Sequence, residues 1–148
     1  MIREGRPLPA DVKNKMPALV QTVSKDPDIV ALYAFGSLAK DALKPLSDLD
    51  FAVLLYDRLD NKQRFRKHLD LIGLFNSHFQ TDEIDLILLN EAPPRFSFYI
   101  TGTGAVLFCR DRSVLVDFIE KTRKHYLDFR YFREGFDKEF LRGIGYNG

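Results

Sequence analysis

The sequence predicts an α/β domain of the α+β kind, a short mixed sheet flanked by helices, and three observations predict it. Dense apolar runs at Ile29 to Phe35, Asp50 to Leu55 and Ile84 to Leu89 have strand length and are too continuous for half-exposed surface strands. Apolar residues spaced three to four apart fill Asn61 to Phe79 and Val114 to about Leu141, the period of amphipathic helices. The 148 residues, 45% hydrophobic and 29% charged, contain no linker-like stretch, so one core and one domain, 1–148, are expected. Its C-terminal helix should span about 112–142.

In order, Val12, Met16, Leu19, Val20 and Val23 recur at helical spacing, and Pro17 confines the helix to about Pro17 to Ser24. Asp26-Pro27-Asp28 is turn chemistry before the first strand. A helical turn is expected between Ser37 and Pro45, and the second strand follows. In the Asn61 to Phe79 helix, Phe65, Leu69, Ile72, Phe75 and Phe79 form one apolar stripe, with Lys62, Arg64, Arg66 and Lys67 largely elsewhere. The third strand is interrupted by one carboxylate, Asp85. Pro93-Pro94 suits the first turn of a short helix to about Ile100, and Thr101-Gly-Thr-Gly104 then turns the chain into an edge strand, Ala105 to Cys109. Asp111 can cap the last helix. There, Phe129, Tyr131 and Phe132 are too close together to face one core, so that surface either docks a partner or packs on two sides of a bent helix.

Composition excludes several classes. A net charge of +1 gives no field for tight, sequence-independent nucleic-acid binding, and the basic helix around Arg123 and Arg130 is interleaved with Asp128, Glu134 and Asp137. Cys109 is the only cysteine, which rules out an intrachain disulfide and suits a reducing compartment. The first residues lack an apolar signal region, and no stretch approaches the roughly 18 apolar residues of a membrane span, so the cytoplasm is the expected address. His68, His78 and His125 lack metal-ligand spacing.

The chemistry lies in Ala34 to Leu55. An apolar strand runs into Gly36-Ser37, and ten residues on, Ser47-Asp48-Leu49-Asp50 opens another. Residues at i and i+2 of a strand share a face about 6.6 Å apart, so Asp48 and Asp50 can turn both carboxylates to one divalent cation while Leu49 enters the core. Gly36 lets backbone approach a ligand, and the Ser37 hydroxyl beside amide N–H groups can hold phosphate oxygens. Lys40 adds a point charge for phosphate. The plainer alternative has Asp48 capping a turn and Asp50 starting an exposed strand.

This arrangement, with a later carboxylate on a strand, resembles the minimal nucleotidyltransferases of the DNA polymerase β superfamily. The stretch from Asn90-Glu-Ala-Pro-Pro through Phe108-Cys-Arg-Asp, with Tyr126-Leu-Asp-Phe129, is similar to the MNT partner of HEPN–MNT gene pairs. Lys40 and Asp41 stand where arginine and glycine are common. The resemblance implies a polymerase β-like fold and an antitoxin that transfers AMP from ATP to tyrosine of a cognate HEPN-domain (HepT-like) toxin, with which it would form a hetero-oligomer. It further implies that Asp48, Asp50 and Asp85 hold Mg²⁺, that Asp85 also accepts the attacking hydroxyl's proton, and that Gly36, Ser37 and Lys40 bind the nucleotide. Two alternatives stay open: transfer of a nucleotide to a small molecule such as an aminoglycoside, or a nucleotide-binding module that neutralises a partner by covering it.

Overall fold

The computed structural model describes residues 12–40 and 48–143, with side chains to residue 127. After a 3₁₀ turn at Lys13–Lys15 come α1 (Met16–Ser24), β1 (Ile29–Phe35), α2 (Gly36–Ala39), β2 (Leu49–Leu55), α3 (Asn61–Phe79), β3 (Ile84–Leu88), α4 (Pro94–Thr103), β4 (Ala105–Cys109) and α5 (Arg112–Gly143). The strands form one mixed sheet in the order β3-β2-β1-β4. β1 is antiparallel to both its neighbours, while β2 and β3 are parallel, the pairing that α3 makes possible as a crossover.

Alternation along β2 divides the core. Leu49, Phe51, Val53 and Leu55 face Leu19 and Val23 of α1 and Leu71, Phe75 and Phe79 of α3. Ala52 and Leu54 face the other way, with Tyr33 and Phe35 of β1, Ile100 of α4 and Leu115 of α5. All seven residues of β1 are buried, as the unbroken apolar run predicted. Phe51 anchors the first face, edge-on to Phe75 at 5.0 Å and stacked on Phe79 at 5.7 Å. Each ring buried there stabilises the fold by about 1.5–3 kcal/mol before packing geometry is counted.

Polar groups finish the elements. Asp60 and Gln63 close a capping box on α3, at 2.8 and 2.9 Å. Where β3 ends, Asn90 continues the ladder with its side-chain amide, accepting from Leu55 N and donating to Leu55 O, both at 2.8 Å. Asp111 accepts from Val114 N at 3.2 Å, the expected cap. Arg110 ties β4 to β1, its Nε donating to Ile29 O at 3.0 Å.

Two expectations need correction. Thr101 and Thr103 belong to α4, their hydroxyls bonded back to Ser97 O and Tyr99 O at 2.8 Å, and Gly104 alone makes the turn. A Cβ on Gly104 would stand 2.6 Å from Ile100 O and 2.9 Å from Ala34 O, so only glycine lets β4 start there. The α3 stripe is also rotated from its predicted position. Leu71, Phe75 and Phe79 are buried, whereas Phe65 and Leu69 are 65% and 54% exposed. The reason is geometric: four strands are too narrow to cover a stripe that wide, and α3 settles with Lys67 turned toward the start of β1.

There Lys67 Nζ lies 2.9 Å from Asp26 and 3.1 Å from Asp28, and Arg58 lies 2.9 Å from Asp28. Burial alone would raise the Asp28 pKa, but hydrogen bonds and charge from Arg58 and Lys67 outweigh it and hold the carboxyl below its ordinary value. A carboxyl depressed on folding contributes stability above its unfolded pKa and loses it as pH falls through the folded one. Asp28→Asn should therefore cost about 1 kcal/mol near pH 7, with the deficit shrinking below about pH 4. Urea melts at pH 7 and pH 3 measure this, and an equal deficit at both would show that the ion pairs contribute nothing.

Candidate active site

The strand pairing assembles the predicted residues from three separate segments. Leu49 opens β2, fully buried and opposite Ile84, so Asp48 and Asp50 flank it on the other side of the strand. Asp50 stands between two register partners, Phe35 on β1 and Asp85 on β3. Phe35 is followed by Gly36, whose φ of 63° is left-handed. That turn folds Gly36 against the β2 carboxylate: a Cβ there would lie 2.6 Å from Asp50 Oδ2. Sequence spacing suggested a phosphate-binding half and a metal-binding half, but the antiparallel register makes them one site. Nothing in the spacing discloses this contact.

The electrostatics follow from that crowding. Burial is the first reason that the Asp50 pKa rises from 3.8 to about 6, and the charges of Asp85 and Asp48 add to it. Asp48 Oδ1 is buried without a hydrogen-bond partner among the described residues. Asp85 is exposed at the sheet edge. The three carboxylates are not drawn into one closed cluster, and among the described residues no group of three His, Cys, Asp or Glu is set to hold an ion. The donor set nevertheless fits a hard divalent cation: all oxygen, one ligand atom orphaned and one carboxylate short of counter-charge.

Ser37 lies half-buried in the single turn of α2, and Lys40 is exposed at its C-terminal cap, with its N–H on Gly36 O at 3.3 Å. Asp41 and Ser47 lie outside the described residues. Sequence reasoning gave α4 no role, yet its Phe96, 37% exposed, sits edge-on at 6.0 Å to Phe35, the register partner of Asp50. No periodicity could have marked it. His68 and His78 are placed structurally, 2.6 Å from Leu86 O and 2.8 Å from Lys15 O. Phe129, Tyr131 and Phe132 lie beyond the described side chains, although Tyr126 stacks on Phe98 at 4.8 Å.

A helix-flanked mixed sheet carrying Gly-Ser at the end of one strand and Asp-x-Asp at the start of the next is the framework of a nucleotidyltransferase. The chain belongs to the family described as "Polymerase beta, Nucleotidyltransferase", whose model matches residues 18–113. Among solved structures, a toxin–antitoxin structure with AMP-PNP is similar at 25% identity and a TM-score of 0.61, covering 88% of this chain and 98% of that one. An MntA-HepT toxin–antitoxin structure gives 22% identity and a TM-score of 0.62 over 87% and 98%. A structure of the tri-AMPylated Shewanella oneidensis HEPN toxin in complex with MNT antitoxin gives 22% and 0.58 over the same shares, 87% and 98%. No curated protein sequence matches the chain significantly. Among the described residues no helix is long and apolar enough to cross a membrane.

Two outcomes test this geometry. Because Asp50 takes its proton more readily folded than unfolded, its ionisation costs stability as pH rises through about 6, and the stability is fully regained below about 3.8. In EDTA, Asp50→Asn should melt above wild type at pH 7.5 and lose most of that advantage by pH 4.5; a lower melting point at pH 7.5 would refute the strained carboxylate. Gly36→Ala should cost about 1–2 kcal/mol for the left-handed backbone and displace Asp50 as well. Unchanged urea melts and unchanged nucleotide binding would count against the contact.

Proposed function

We propose that the chain is an antitoxin-type protein adenylyltransferase, moving AMP from ATP to a tyrosine of a cognate HEPN-domain toxin in the cytoplasm and acting as one domain. The observation that carries this reading is the register that sets Asp50 beside Asp85 with Gly36 packed on its carboxylate. The similarity to toxin–antitoxin structures, one with AMP-PNP and one with an AMPylated toxin, supports the choice of nucleotide and acceptor.

Asp48, Asp50 and Asp85 are the residues that would hold Mg²⁺, which supplies charge neutralisation for the triphosphate and the departing pyrophosphate. Gly36 lets the backbone approach the phosphates, and Ser37 and Lys40 offer them a hydroxyl and a positive charge. Asp85, exposed at the edge, takes the proton of the attacking hydroxyl as its oxygen bonds to the α-phosphorus and the bond to pyrophosphate breaks. Phe96 packs edge-on against Phe35, the register partner of Asp50.

The cavity between α1, α2 and β4, lined by Met16, Ala34, Leu38 and Leu107, holds about 160 Å³ and is not the place of the reaction. It opens on the α1 side, whereas Asp50 shares the face of Ala52 and Leu54. Incubation with the HEPN-domain protein, ATP and Mg²⁺ should add about 329 Da per AMP to a tyrosine, as attack at the α-phosphorus with loss of pyrophosphate requires. EDTA or Asp85→Asn should stop the mass shift while the complex persists. A toxin neutralised but unmodified would make the chain a binding module, and AMP on an aminoglycoside instead would make it a small-molecule transferase.

A further inference from the structure

The part of the α3 stripe left outside the core forms a surface of its own. Going round the helix from buried Leu71 and Phe75, His68 comes next and reaches Leu86 O of β3 at 2.6 Å. Phe65 and Leu69 lie one step further, past that strand, exposed by 65% and 54%. β3 is an edge strand, so no further strand covers this side. Gly73 continues the line at the same four-residue interval, and no atom lies within 4 Å of the point where its Cβ would stand. A second helix can therefore approach the backbone closely at Gly73 while its apolar side chains meet Phe65 and Leu69. Lys62 and Arg66 border the same stripe, both exposed, and neither makes an ion pair among the described residues.

We propose that this face of α3 docks the protein acceptor through an amphipathic helix whose acidic residues meet Lys62 and Arg66. The proposal rests on the reading of the acceptor as a HEPN-domain protein. Two features fix the occupant's chemistry. Two unpaired cations beside two exposed apolar side chains select an acidic, apolar partner over nucleic acid, which would want cations without Phe65 and Leu69. The surface also borders β3, the edge strand that carries Asp85, although α3 covers the sheet face opposite that carboxylate. A partner docked along α3 reaches the proposed proton acceptor by passing round the β3 edge, where Asp85 is exposed.

The experiment uses the full chain, the HEPN-domain protein, calorimetry for binding and mass spectrometry for AMP transfer. Two variants are compared with wild type: Lys62→Glu with Arg66→Glu, and Phe65→Ser with Leu69→Ser. All four side chains are exposed, so melting temperatures should stay near wild type, and ATP binding with Mg²⁺ should not change. Each variant should weaken the complex at least about tenfold and slow AMP transfer through KM for the protein. Variants that bind as wild type does overturn the docking surface, even where transfer proceeds and the enzymatic reading stands. Wild type that binds without transfer, with both variants losing binding, upholds the surface and sinks the transferase. Wild type that neither binds nor modifies the HEPN protein overturns both.

Discussion

The antiparallel pairing of β1 with β2 is the constraint on which the rest depends, because it sets Phe35 opposite Asp50 and leaves Gly36 to turn against the carboxylate. That arrangement works against folding: a half-buried acid beside two others carries a pKa near 6, and Asp48 keeps an oxygen without a partner. It is held by what lies behind it. Ile29, Val30, Leu32 and Phe35 of β1 and the Phe51, Phe75 and Phe79 cluster each contribute about 1.5–3 kcal/mol, so the core over-determines a register that the acids alone would not choose.

Parity along β2 then decides which face carries the chemistry. Leu49, Phe51, Val53 and Leu55 fill the face covered by α1 and α3, and this consigns Asp50 to the face of Ala52 and Leu54 under α4 and α5. A slip by one residue would drive both acids into the Phe75 and Phe79 packing, at a desolvation cost that no hydrogen bond there could offset. The same parity puts Asp85 on the site's face. It also explains why Phe96 of α4, rather than any residue of α3, packs against Phe35, the register partner of Asp50.

Much of this was readable in the chain. β1, α3 and β4 have the ends that their apolar patterns implied, since Asp28, the Asp60 and Gln63 box, Gln80, Gly104 and Arg110 mark boundaries by local chemistry. The family too was visible in Gly36-Ser37 and Asp48-Leu49-Asp50. The contact between Gly36 and Asp50 was not, because it arises from register, and register is a property of two strands together. Nor was the rotation of α3 visible. Helical periodicity reports which residues share a stripe, but only the width of the sheet decides how much of that stripe is covered, and here the coverage stops before Phe65 and Leu69.

That uncovered margin bears on how the molecule divides its work. β3 and β4 both end the sheet, yet they are guarded differently: β4 by the Arg110 bond to Ile29 O and its pairing with β1, β3 by His68 on Leu86 O. An edge strand with exposed apolar side chains beside it invites association, and lysine and arginine at its border restrict which surfaces accept the invitation. Placed on the β4 side, such a patch would lie at the opposite edge of the sheet from Asp85. Placed past β3, it lies along the edge strand that carries Asp85, the only acid of the three that is exposed. The half-buried pair and the Gly36 turn can then stay rigid, while selection of the acceptor falls to a helix surface whose exposed side chains lie outside the core.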